Sequence, residues 1–125
     1  MRFVYAVGFE GDQYLMVYNT KRNGWEMPGG HMEEDETPEE AIRREYLEES
    51  GFRLTPVARR DMGDVAIFAG VIKPMTPRAE MRWEMFDDLP PELAFPEVEY
   101  TEIIEWARES LARRDVARGP RPRLK

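Results

Sequence analysis

The sequence predicts an α/β sandwich, a mixed β-sheet with helices packed against it in the order β-β-α-β-β-β-α. Three observations lead there. The chain has 125 residues, one domain's worth of polypeptide. Residues 38–50 are bracketed by residues that start and stop helices. Apolar, strand-like runs lie on both sides of that segment, and an amphipathic stretch follows them.

Taken in order, Phe3 to Phe9 is an apolar strand, Glu10-Gly11-Asp12 a turn, and Gln13 to Tyr18 a second strand, together a hairpin. Asn19 to Asn23 reads as a polar loop and Trp25 to Gly30 as a bend punctuated by Pro and Gly. Thr37 is a good N-cap, Pro38 suits the first helical position, and Glu40 completes a Thr-x-x-Glu capping box. Gly51 supplies the left-handed stop, so a helix spans Pro38 to Ser50. Phe52 to Arg60 and Asp64 to Lys73 read as extended, with Val65 to Ala69 a buried central strand. Thr76 to Ala79 is a Pro-containing loop and Glu80 to Phe86 another strand. From Glu97 to about Arg114, Val98, Thr101, Ile104, Ala107 and Leu111 recur at helical spacing. The expected layout is one domain over residues 1–114 and a basic tail over 115–125.

Composition narrows the chemistry. Hydrophobic residues make up 42% of the chain, with 3 Trp, 5 Tyr and 6 Phe, enough for a core without staples. With no cysteine there is no disulfide, thiolate metal site or cysteine nucleophile. The single histidine, His31, excludes a multi-histidine zinc centre. A net charge of −7 gives no field to attract nucleic acid. That charge is unevenly spread, with residues 112–125 carrying six basic side chains against one acid. The tail reads either as a solvated terminus or as a phosphate-contacting arm. No apolar run reaches the ~20 residues needed to span a bilayer, and no leader precedes the first strand. The expectation is a cytoplasmic protein with no membrane partner.

Carboxylates remain. Residues 33–49 hold nine acids, opposed only by Arg43 and Arg44. Glu45, Glu48 and Glu49 lie near the C-terminal end of the helix, where its dipole disfavours negative charge. At i, i+3 and i+4 they stack on one stripe beside the core-facing Ile42 and Tyr46. Arg44, four residues before Glu48, is expected to relieve one of them. A divalent cation relieves all three, and hard oxygen ligands select Mg²⁺ or Mn²⁺. The other reading is a solvated acidic face.

From Gly30 the chain runs through five residues to Glu36, seven more, then Arg44-Glu45-Tyr46-Leu47-Glu48-Glu49-Ser50-Gly51-Phe52. This resembles the Nudix box, G-x5-E-x7-R-E-U-x-E-E-x-G-U, with every fixed position matched. Tyr46 stands where the family has Ile, Leu or Val, and its hydroxyl is expected to reach a polar partner. Trp25 to His31 is similar to the family's usual lead-in. The resemblance implies the Nudix α/β/α sandwich and Mg²⁺-dependent hydrolysis of a nucleoside diphosphate linked to another moiety. It implies Glu45, Glu48 and Glu49 as catalytic metal ligands together with the Gly30 carbonyl. Glu36 and Arg44 match positions that brace the loop against the helix, and Gly51 closes the box. For the general base it leaves Glu45 or Glu49, or an acid from a distant loop, here Glu80; an exposed loop residue is the other reading of Glu80.

Lys21, Arg22 and His31 lie near the implied phosphate path, although relatives often carry Lys where His31 stands; a surface histidine with no role is the other reading of His31. Phe86 to Glu97 is similar to the MutT-like class that hydrolyses nucleoside triphosphates, oxidised ones included. That places Phe95 as a base-stacking ring and Glu26 or Glu97 as acceptors for base amino groups; a core role is the other reading of Phe95. The leading expectation is a small-molecule substrate, a nucleoside triphosphate cleaved to monophosphate and pyrophosphate. The alternatives are a nucleotide sugar, a dinucleotide polyphosphate, an RNA 5′ end, and a catalytically silent nucleotide sensor.

Overall fold

The hairpin expected at the start of the chain forms and then comes apart. In the computed structural model, which describes residues 1–117, β1 (Phe3–Glu10) and β2 (Gln13–Asn19) pair only at Phe9–Tyr14 and Glu10–Gln13, next to the turn. Beyond those pairs β1 takes β4 (Gly29–His31) antiparallel and β6 (Val65–Pro74) parallel. The far end of β2 takes β3 (Gly24–Glu26), and β7 (Arg82–Phe86) runs along β2 from Tyr14 to Tyr18. β5 (Phe52–Met62) completes the seven-stranded sheet by pairing with β6, with a bulge between Pro56 and Ala58. The sheet therefore splits between β1 and β2, and the segment joining β3 to β4 lies at the split.

Two helices cover the sheet. α1 (Pro38–Ser50) packs Ile42 and Tyr46 against Val4, Leu15, Leu54 and Phe68. α2 (Glu97–Ala117) packs Ile103, Ile104 and Ala107 against Val7, Met16 and Ile67 on the other face. Alternation along the strands feeds both cores: Ala66 and Phe68 face α1, while Ile67 and Ala69 face α2. Truncating a fully buried side chain such as Ile42 to Ala costs about 2–5 kcal/mol.

Four expectations change. The bend expected at Trp25 to Gly30 is taken up by two three-residue strands, because the chain on either side of Met27 and Pro28 pairs with a different strand, β3 with β2 and β4 with β1. The strand expected from Glu80 begins at Arg82, leaving Glu80 in a loop. The second helix runs to Ala117, past the expected boundary at 114, while residues 118–125 of the basic tail lie outside the described residues. The Tyr46 hydroxyl is buried with the Gly8 backbone beside it and makes no well-aligned hydrogen bond among the described residues, so the room for this ring comes from the missing side chain of Gly8. Among the described residues no helix is long and apolar enough to cross a membrane.

Candidate active site

The α1 N-terminus forms as its local chemistry dictates. The Glu40 N–H donates to Thr37 Oγ1 (3.2 Å), and the Thr37 N–H donates to Glu40 Oε1 (2.9 Å). At the other end Gly51 adopts φ 81° and caps the Leu47 carbonyl. The loop after β6 then folds over that end. Glu80 N–H donates to the Glu48 carbonyl (3.0 Å) and Met81 N–H to the Glu49 carbonyl (3.1 Å). These bonds satisfy the orphan carbonyls of the last turn and bring Glu80 to the acidic stripe.

Arg44 is the hub of the stripe. Its Nε and Nη2 grip Glu36 at 2.7 and 2.9 Å, a bidentate fork. Its Nη1 lies 2.8 Å from Glu45 Oε1, 3.4 Å from Glu48 Oε2 and 3.7 Å from Glu33 Oε1. Nη2 also donates to the His31 carbonyl (3.2 Å). The expectation that Arg44 relieves one of the three stripe acids is thus wrong: Nη1 reaches both Glu45, the next residue on the helix, and Glu48, one turn on, while loop 31–36 adds Glu33 and Glu36 to the same guanidinium. The fork with Arg44, aided by the Glu33 N–H, pulls the Glu36 carboxyl down to about 2. Among the described residues no three carboxylates converge as a finished metal cage, because Arg44 stands between Glu45 and Glu48.

Glu49 is left out of this network. No cation pairs with it among the described residues; its one partner is the Gly29 N–H, donating to Oε1 across 3.0 Å. Burial lifts its carboxyl to about 8, against the pull of Gly29 and with help from Glu45, Glu26 and Glu80. Burial also raises Glu45, opposed by Arg44 and assisted by Glu48 and Glu80. Gly30 borders Glu45 so closely that an added Cβ would lie 2.5 Å from Oε2. Glu45, Glu49, Glu80 and the Gly30 backbone therefore form one acidic hollow at the split in the sheet, with Glu48 exposed on its rim. Hard oxygen donors and uncompensated charge fit a hard dication.

A second cluster lies on the β3 side. Arg22 Nη1 pairs with Glu26 (3.1 Å), and its guanidinium sits 5.2 Å from the Phe95 ring centroid. Phe95 is 45% exposed, so it is not a core residue. Its segment is fastened to β3: the Tyr100 hydroxyl donates to the Trp25 carbonyl (2.7 Å), and the Phe95 N–H donates to that hydroxyl (3.2 Å). Lys21 shares an open cleft of about 500 Å³ with Glu80. His31 and Glu97 stand apart from these groups. The His31 ring packs on Phe3, centroids 4.1 Å apart, and Glu97 is exposed in the first turn of α2.

Sequence reasoning missed three participants. Glu33 adds its carboxylate to the Arg44 network, Gly29 supplies the N–H that holds Glu49, and Arg82 lines the cleft opposite Lys21. The tandem glycines were the available signal for Gly29. Arg82 left none, because its place depends on β7 pairing with β2.

A family model of the NUDIX domain matches residues 2–113. The chain belongs to the Nudix hydrolase family. It is 55% identical over 31 residues to an 8-oxo-dGTP diphosphatase of Proteus vulgaris, a match covering 25% of this chain and 28% of that protein. It is 45% identical over 42 residues to an RNA pyrophosphohydrolase of Xanthomonas campestris pv. campestris, covering 34% and 20%. The chain spans less than a third of the length of the curated relatives it matches. The crystal structure of a Bacillus subtilis pyrophosphohydrolase matches with a TM-score of 0.67 and 22% identity, covering 90% of this chain and 81% of that one. At that identity the likeness is one of fold, and it agrees with the Nudix sandwich seen here.

Proposed function

We propose that this Nudix protein is a Mg²⁺-dependent pyrophosphohydrolase that cleaves a nucleoside triphosphate to a monophosphate and pyrophosphate. The observation that carries the reading is Glu49, a carboxylate sunk into an acidic hollow with a backbone N–H but, among the described residues, no cation beside it. Glu45, Glu48 and Glu49 with the Gly30 carbonyl would hold Mg²⁺, or Mn²⁺ in its place. When bound, the cation supplies charge neutralisation at the phosphate oxygens and lowers the pKa of water.

The chain's own residues supply the rest. Glu80 stands on the rim between hollow and cleft, tied by its backbone to α1, and is the proton acceptor for the attacking water. Water oxygen forms a new bond to phosphorus, one P–O–P bridge between the α and β phosphates breaks, and pyrophosphate leaves. Arg44, anchored on Glu36, fixes the rotamers of Glu45 and Glu48. Exposed Phe95, flanked by Arg22 and Glu26, offers a face for the base, where stacking is worth about 1–3 kcal/mol. Two of the relatives are named for oxidised dGTP and for RNA, so both belong in the substrate panel.

Release of phosphate products from that panel, first with Mg²⁺ and then with EDTA, tests the proposal. Turnover of a triphosphate that EDTA abolishes is the expected result. Turnover only of triphosphorylated RNA moves the assignment to the 5′-end reaction, and no metal-dependent turnover of any substrate leaves a nucleotide sensor.

A further inference from the structure

The cleft beside the glutamate hollow has a cationic wall that the hydrolytic residues do not use. It opens between residues 18–21 and 80–82, with a volume of about 500 Å³. Tyr18 and Arg82 are directly opposed on β2 and β7, so their side chains share a face of the sheet. The Arg82 guanidinium lies 5.1 Å from the Trp25 ring centroid and 5.9 Å from that of Tyr18, and its Nη2 bonds Glu84 Oε1 at 3.3 Å. Three neighbours thus orient an arginine that is itself 66% exposed toward solvent. On the opposite lip, Asn19 Oδ1 accepts the Lys21 and Arg22 backbone N–H groups (2.9 and 3.2 Å) and fixes the turn. The Lys21 ammonium has no ion-pair partner among the described residues. Glu80 and Met81 line this cleft, and their N–H groups bond the Glu48 and Glu49 carbonyls (3.0 and 3.1 Å), so the cleft adjoins the end of α1 that carries the acidic stripe.

We propose that Lys21 and Arg82 bind the terminal phosphate of the triphosphate and make the enzyme prefer three phosphates to two. This rests on the hydrolase reading above. The terminal phosphate carries the most negative charge of the chain, and the acidic hollow repels it. An arginine held by three neighbours and an ammonium without an ion-pair partner among the described residues, both lining one cleft, suit that group. Neither residue touches the bond that breaks, so their contribution is to binding and specificity.

Kinetics of Arg82→Gln and Lys21→Gln against a nucleoside triphosphate and the matching diphosphate test this, with thermal melting as the control for folding. Each substitution should raise KM for the triphosphate about tenfold or more, while kcat falls less than threefold and the diphosphate KM moves less than twofold. Equal KM changes on both substrates, no KM change, or a loss confined to kcat overturns the proposal. A second arm does not require turnover: calorimetric titration of inorganic tripolyphosphate into Glu49→Gln protein without Mg²⁺. Binding weakened about tenfold by adding Arg82→Gln supports the subsite even if no nucleotide is hydrolysed. Binding that ignores Arg82, or no binding at all, overturns it.

Discussion

The Gly29 N–H donates to Glu49 Oε1 across 3.0 Å, and this one bond holds a largely buried carboxylate that has no cation beside it among the described residues. The bond joins the segment at the split in the sheet to the last turn of α1. It also sets the electrostatics of the hollow, because every other group acting on Glu49 disfavours its charge.

Stability in the absence of metal should therefore depend on pH in an unusual sense. Glu49 titrates at about 8 in the fold and near its ordinary 4.5 in the unfolded chain. Between those values the folded state keeps a proton that the unfolded state releases, so stability declines as pH rises through the window and levels off above about 8. Glu36 acts oppositely: its contribution is present above about 4.5 and is lost as pH falls toward about 2. Thermal melting in EDTA from pH 5 to 9 should show a falling Tm. In Glu49→Gln, where the amide oxygen still accepts from Gly29, that fall should shrink markedly; an unchanged slope would refute the assignment.

Glu80→Gln keeps the backbone bond to the Glu48 carbonyl and removes the proton acceptor. Turnover with saturating Mg²⁺ should fall about 10²- to 10⁴-fold while Tm stays within a degree or two. Loss below threefold would return Glu80 to the status of an exposed loop residue.

Arg44→Ala strips the fork from Glu36 and the cation from Glu45 and Glu48. The fork is bidentate and Arg44 also serves Glu45 and Glu48, so the urea unfolding midpoint should fall clearly below that of wild type. An unchanged midpoint would mean that the network is no stronger than an exposed ion pair.

The paired glycines should respond differently to the same substitution. A Cβ at Gly30 meets the Glu45 carboxylate at 2.5 Å, a flexible group that can move aside. Gly30→Ala should therefore fold, yet bind Mn²⁺ about tenfold or more weakly, because Glu45 is displaced. At Gly29 the Cβ runs into the Val4 carbonyl on β1, a rigid wall, so Gly29→Ala should lower stability first. Equal effects of the two variants on metal affinity and Tm would contradict this geometry.

What could be read from the sequence was local. Thr37, Glu40 and Gly51 act within one turn of themselves, so the limits of α1 came out residue for residue. The stripe of Glu45, Glu48 and Glu49 follows from helical spacing alone. Partnerships fixed by distant chain were hidden. Arg44 reaches Glu33 and Glu36, beyond its helix neighbours Glu45 and Glu48, only because loop 31–36 folds back over α1. β3 and β4 are three residues each, with three glycines among the six, too short for alternation to show. Phe95 was ambiguous because its exposure is decided by Tyr100 pinning the preceding segment to β3.

Direct metal uptake is the sharpest check on the central claim. Mn²⁺ added to the metal-free protein can be followed by the loss of the free-ion signal in electron paramagnetic resonance, in wild type and Glu49→Gln. The account predicts saturable binding of at least one ion per chain, displaced by Mg²⁺ and weakened at least tenfold in the variant. Wild-type protein that leaves the Mn²⁺ signal untouched, or a variant that binds as well as wild type, would contradict it.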